Sequence, residues 1–186
     1  MRRWEDWQKP YEFGTFVIWP PVHVRKIINS QREMYDPVSQ RYCETHITVT
    51  QPLSWTLDER GWDYLQTRLA GFGPFQIEYG PLSSFLPYPC IWYEIVPRDR
   101  ILAIRKVLHQ TGYFNLEMEY PENFIPHMTI TEGLSGPTVD KSVLRKLQEE
   151  SGMGSFLCED VAFIVPDEEF QFHVKRRIPL GTVRQE

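Results

Sequence analysis

An α+β fold is what this sequence predicts, on three observations. Stretches with the two-residue period of strands alternate with stretches of helical spacing. Proline or glycine stands at most changes from one to the other. The order strand, helix, strand, helix, strand also occurs twice, once before and once after a Pro-rich segment at residues 80–89. Repeats of matching order pack about a pseudo-twofold axis. They predict sheet cores with helices on the outer faces and a central groove between two mainly antiparallel sheets.

Length fits this picture. At 186 residues the chain is one domain or two closely fused lobes sharing a core. The expected division is a first lobe over about 14–80, a linker over about 80–89 and a second lobe over about 90–180, within one unit spanning 1–186. With 41% hydrophobic and 24% charged residues, the composition is that of an ordinary globule. No apolar run approaches the ~20 residues of a membrane span, so no membrane partner is expected. The start, Met1-Arg2-Arg3-Trp4-Glu5-Asp6, lacks the apolar core of a signal peptide. Cys43, Cys90 and Cys158 have no metal-ligand spacing, and their odd number argues against a disulfide framework. A cytoplasmic, reducing setting is the expectation. The net charge of −5 opposes binding to long nucleic acid, which needs many cationic contacts. It leaves room for a small phosphorylated ligand held locally by a monomer.

The elements follow in order. Residues 1–13 read as an irregular leader. Thr15 to Trp19 is a buried strand ended by Pro20-Pro21. Val24, Ile27, Ile28, Met34 and Tyr35 recur at roughly helical spacing, so residues 22–35 form a helix that Asp36-Pro37 stops. A polar loop leads to a strand at Thr45–Thr50. Thr56-x-x-Glu59 is a capping-box pattern opening a helix with Trp62, Leu65 and Leu69 on one face. Phe75 to Tyr79 alternates as a strand, and Gly80 to Pro89 reads as a linker or lip. Cys90 to Val96 is a second buried strand. Arg98 to Gln110 is a helix with Ile101, Ile104 and Leu108 inward. After a loop comes a strand at Pro126–Thr131, then a helix from Thr138 that Gly152 ends. Residues 156–165 and 170–178 are two closing strands.

Two of these strands carry the chemistry. Thr45-His46-Ile47-Thr48-Val49-Thr50 and Pro126-His127-Met128-Thr129-Ile130-Thr131 are both His-apolar-Thr-apolar-Thr. Strand parity places His46, Thr48 and Thr50 on one face, and likewise His127, Thr129 and Thr131. Each strand thus offers an imidazole and a hydroxyl roughly 7 Å apart, backed by an apolar face. His109-Gln110-Thr111 lacks the apolar partners. An imidazole titrates near neutral pH, so one can serve as base while its partner serves as acid. With hydroxyls for the non-bridging oxygens, that set suits phosphoryl transfer. No Gly-rich phosphate loop is present. A metal site built on His46, His127 and Glu132 lacks a third ligand at a recognised spacing.

His46-Ile47-Thr48-Val49 and His127-Met128-Thr129-Ile130 resemble the paired His-x-Thr/Ser-x signatures of the two-histidine (2H) phosphoesterase superfamily, closest to its 2′-5′ RNA ligase-like and cyclic phosphodiesterase branch. Tyr35-Asp36-Pro37 and Phe124-Ile125-Pro126 are similar to that branch in context. The resemblance implies a bilobal α+β fold, His46 and His127 as the acid/base pair, Thr48 and Thr129 on the phosphate, and no cofactor or metal. Thr50 and Thr131 are then second-rank contacts or simple strand formers. The implied activity is hydrolysis of 2′,3′-cyclic phosphates or 2′-5′ linkages in a small nucleotide or RNA end. RNA-end ligation, a binding module without turnover and a metal hydrolase are the alternatives.

Lesser candidates have plainer readings. His173, Lys175 and Arg177 share a face of the last strand, as a phosphate-steering edge or as edge protection. Tyr42, Phe85, Tyr88, Tyr120 and Phe124 flank the motifs or the lip and could stack on a base or simply pack. His23 and His109 read as surface residues on helices, and Cys43 as no nucleophile.

Overall fold

The computed structural model describes residues 4–118, 124–134 and 138–181. A 3-10 turn at Lys9–Phe13 leads through Gly14, at φ 82°, into β1 (Thr15–Ile18). A Cβ at Gly14 would stand 2.5 Å from the Ile164 carbonyl oxygen, so only glycine fits there. Then follow α1 (Val22–Tyr35), α2 (Pro37–Tyr42), β2 (Ile47–Thr48) and α3 (Glu59–Leu69). The chain continues with β3 (Phe75–Ser84), β4 (Ile91–Val96), α4 (Arg98–His109) and β5 (His127–Thr131). It closes with α5 (Lys141–Glu150), β6 (Gly154–Cys158), β7 (Asp160–Pro166) and β8 (Phe172–Pro179). No helix among the described residues is long and apolar enough to cross a membrane.

The strands form one curled antiparallel sheet in the order β6-β3-β4-β5-β2-β1-β7-β8. The two expected sheets are therefore its two halves, joined edge to edge where β2 meets β5 at Ile47 and Met128. That pairing puts both motif strands at the centre, where their backbone groups are satisfied and their apolar residues covered. Strands also cross between halves. β3, from the first repeat, lies between β4 and β6, while β7 from the second lies against β1.

One face of the sheet carries the main core. Ile47, Val49, Met128 and Ile130 pack there with Val24 and Ile28 of α1, Leu65 and Leu69 of α3, and Ile101, Ile104 and Leu108 of α4. Burying each such side chain contributes roughly 1.5–3 kcal/mol. The opposite face holds a smaller cluster of Val17, Cys43, Ala162 and Ile164.

Several boundaries differ from expectation, each for a local reason. The polar loop after α1 is the helix α2, because the buried Asp36 accepts the Ser39 amide as its N-cap. Asp58, bonded to the Gly61 amide, caps α3 in place of Thr56. Asp140 likewise starts α5 later than Thr138. The supposed linker at 80–89 is strand as far as Ser84, and then turns with the Phe85 amide on the Cys90 carbonyl. Residues 156–165 are divided at Glu159 between β6 and β7. On α1 the buried stripe is Val24, Ile28, Arg32 and Tyr35, while Ile27 and Met34 face solvent.

Candidate active site

The pleat of β2 and β5 sends Ile47 and Met128 into the core and leaves His46, Thr48, His127 and Thr129 on the other face. All four line one cavity of about 300 Å³. The two histidines are held alike. His46 Nδ1 lies 2.8 Å from the Glu44 carbonyl oxygen, and His127 Nδ1 lies 2.6 Å from that of Ile125. A carbonyl can only accept, so each Nδ1 carries hydrogen and each Nε2 is left to exchange a proton. The approach to His46 is itself braced by α1. Arg25 pairs with Glu44, and Asn29 accepts the Thr45 amide at 2.8 Å.

Each ring also packs against an indole. Trp19 stacks on His46 at 6.4 Å between centroids, and Trp92 lies 5.8 Å from His127. This enclosure has an electrostatic consequence. Burial pushes His46 from 6.5 down to about 4, Arg32 and His127 push the same way, and the Glu44 carbonyl opposes them. Burial lowers His127 as well, against its bond to Ile125. Cys43 Sγ lies 3.3 Å from His46 Nδ1, but burial pushes its thiol up to about 12. It carries no thiolate near neutral pH.

Thr50 and Thr131 do not line the cavity, a correction to simple strand parity. The amides of Val49 and Thr50 both bond to the Phe16 carbonyl, at 2.9 and 3.2 Å, so the strand bulges and alternation stops. Thr50 Oγ1 accepts the Phe16 amide at 3.1 Å. In β5 the register likewise shifts opposite Ile91 and Trp92. There Thr131 Oγ1 accepts the Ile91 amide at 3.1 Å and donates to the Pro89 carbonyl at 2.8 Å. Both threonines lock bulges.

Sequence reasoning missed two arginines. Arg32 is buried beside the cavity, where it donates to Gln40 Oε1 at 3.0 Å, the Thr129 carbonyl at 2.8 Å and the Cys43 carbonyl at 3.1 Å. Arg105 of α4 donates to the Val49 carbonyl at 2.8 Å and to Gln51 Oε1 at 2.5 Å. The helix of each repeat thus grips the motif strand of the other. Asp36 Oδ2 adds a clamp on the Glu132 amide at 2.8 Å. The signal for Arg32 lay in its place on the α1 stripe.

Of the lesser candidates, Tyr42 and Phe124 line the cavity. Phe85 packs on Trp92 at 4.0 Å, Tyr88 is exposed, and Tyr120 lies outside the described residues. His109 is no surface group: its Nε2 accepts the Gln51 amide at 3.1 Å, and burial lowers it to about 4. His173 pairs with Asp167 and Arg177 with Asp160 along the outermost strand, each at 2.8 Å. Among the described residues no group of three or more His, Cys, Asp or Glu is placed to hold a metal ion.

A family model described as the 2′-5′ RNA ligase superfamily matches residues 20–169. A relative from Bacillus thuringiensis (strain Al Hakam), provisionally named a phosphoesterase, is 31% identical over 123 residues, covering 64% of this chain and 69% of that protein. The fold is similar to TT0787 of Thermus thermophilus, with a TM-score of 0.59 at 16% identity over 90% of this chain and 97% of the other. It is also similar to E. coli LigT complexed with 3′-AMP, with a TM-score of 0.57 at 17% identity over 92% and 99%. With the family's match spanning most of the sequence and both motifs within it, the chain belongs to the 2′-5′ RNA ligase superfamily of two-histidine phosphoesterases.

Proposed function

We propose that the protein is a metal-independent phosphoesterase that opens 2′,3′-cyclic phosphates or cleaves 2′-5′ linkages in small nucleotides or RNA ends. One observation carries this reading: two imidazoles with matching Nδ1 anchors share a cavity with two threonine hydroxyls. His46, which burial and Arg32 keep neutral, is the base that takes a proton from the attacking water at Nε2. His127, the opposite imidazole of the pair, carries the proton that the departing ribose oxygen receives. Thr48 and Thr129 donate to the non-bridging oxygens as charge builds there. A bound phosphate favours the protonated imidazole and so holds the proton in place. The 3′-AMP bound to LigT supports a nucleotide-sized ligand. Three buried cysteines outside any disulfide are in keeping with action in a reducing compartment.

The test is a product assay on 2′,3′-cyclic nucleotides and 2′-5′ oligoadenylates with and without EDTA. Turnover that survives the chelator and falls by orders of magnitude in His46→Ala and His127→Ala is the expected result. Binding without product across the panel would reveal a nucleotide-binding module, and loss in EDTA a metal hydrolase.

A further inference from the structure

We propose that an aromatic wall built from the two ends of the described chain is a subsite that stacks the substrate's nucleobase. This inference rests on the phosphoesterase reading of the adjoining histidines.

The wall shares their cavity. Trp7, Tyr11, Tyr42, Phe124, Phe170 and Phe172 line the same space as His46 and His127. Trp7 and Tyr11 precede residue 20, and Phe170 and Phe172 follow residue 169, so they fall outside the stretch that matches the family.

Phe170 is its hub. Its ring meets those of Trp7, Tyr11, Tyr42 and Phe172 at 5.3, 6.1, 5.5 and 5.1 Å between centroids, all edge to face. The backbone of Phe170 has φ 64°, in the left-handed region that glycine adopts freely and a phenylalanine does not. The surrounding turn enforces it. Asp167 Oδ1 accepts the amides of Glu169 and Gln171, each at 2.9 Å, and the Phe170 amide reaches the Asp167 carbonyl at 3.2 Å. A strained conformation that its surroundings over-determine is common at ligand sites. Here it places a large ring behind the cavity.

The rings in front of that hub are not used up by stacking on one another. Edge-to-face packing holds them upright, and Trp7 remains 46% exposed with its Nε1 fixed on Glu5 Oε2 at 2.6 Å. An oriented, half-exposed indole beside a cavity of about 300 Å³ is apolar surface awaiting a flat partner. Every nucleobase offers such a π-face, so the subsite grips bases with little choice among them.

Calorimetric titration of the full chain with 3′-AMP, ribose 3-phosphate and inorganic phosphate tests this. Wild type should bind 3′-AMP at least about tenfold more tightly than its base-less counterpart. Trp7→Ala and Tyr42→Ala should shrink that ratio several-fold, and Trp7→Phe should keep most of it. Phosphate binding with a ratio near one, or a ratio that survives both alanine variants, overturns the subsite and leaves the phosphoesterase reading standing. Failure of all three compounds to bind, together with no turnover, defeats that reading and the subsite with it.

Discussion

A guanidinium nitrogen of Arg32 donates to the carbonyl oxygen of Thr129 at 2.8 Å, tying the first repeat's helix to the second repeat's motif strand. Another nitrogen of the same group bonds to the Cys43 carbonyl, three residues before His46. One side chain thus sets both motifs.

Arg32→Met keeps the length and leaves those two carbonyls and Gln40 without their donor. Hydrogen bonds from charged groups contribute roughly 1.5–3 kcal/mol each and are not additive, so a loss of about 2–4 kcal/mol is expected. Urea denaturation measures it. Arg32→Lys should recover little, because one ammonium cannot reproduce a planar fork aimed at three acceptors.

For the histidines, His46→Ala and His127→Ala should each lower kcat by about 10²–10⁴. The double variant should be hardly worse than either single one, since acid and base act as a unit. Steady-state kinetics on a cyclic nucleotide decides this, and multiplicative losses would contradict it.

Acidity should act on both activity and stability. His46 and His109 are each lowered from 6.5 to about 4, and His127 is lowered too. The unfolded chain therefore binds more protons between about pH 4 and 6.5, so stability rises with pH across that window. Each group contributes at most about 1.4 kcal/mol per pH unit. Denaturant midpoints from pH 4 to 7 should show the slope, and His109→Gln should flatten it. With a base near 4 and an acid lowered from 6.5, kcat/KM should peak on the acid side of 6.5. A maximum above pH 8 would contradict the assigned roles.

Thr48 and Thr50 should separate activity from stability. Thr48 faces the cavity, whereas Thr50 takes the Phe16 amide. Thr48→Val should reduce kcat at least tenfold with little change in melting. Thr50→Val strands a buried amide and should destabilise by about 1–3 kcal/mol, leaving kcat close to wild type at low temperature.

This contrast also marks how far the sequence could be read. His46, His127 and their first threonines were legible because strand alternation needs only local spacing. For the second threonines, which read as second-rank contacts or as simple strand formers, local spacing could not decide, since the bulges at Thr50 and Thr131 arise from hydrogen bonds to β1 and β4, which are remote in sequence. Arg32 was hidden by its charge on an otherwise apolar stripe, although the stripe's spacing marked it. The aromatic leader has no period at all. It takes its form from Phe170, which lies at the other end of the chain.

The exchange of strands between halves has a lasting consequence for how this molecule can come apart. With β3 seated between β4 and β6, and β7 beside β1, severing the chain near residue 85 would give two fragments, each missing a neighbour the other holds. Neither should persist alone, yet mixed together they should reassemble and regain both histidines at once.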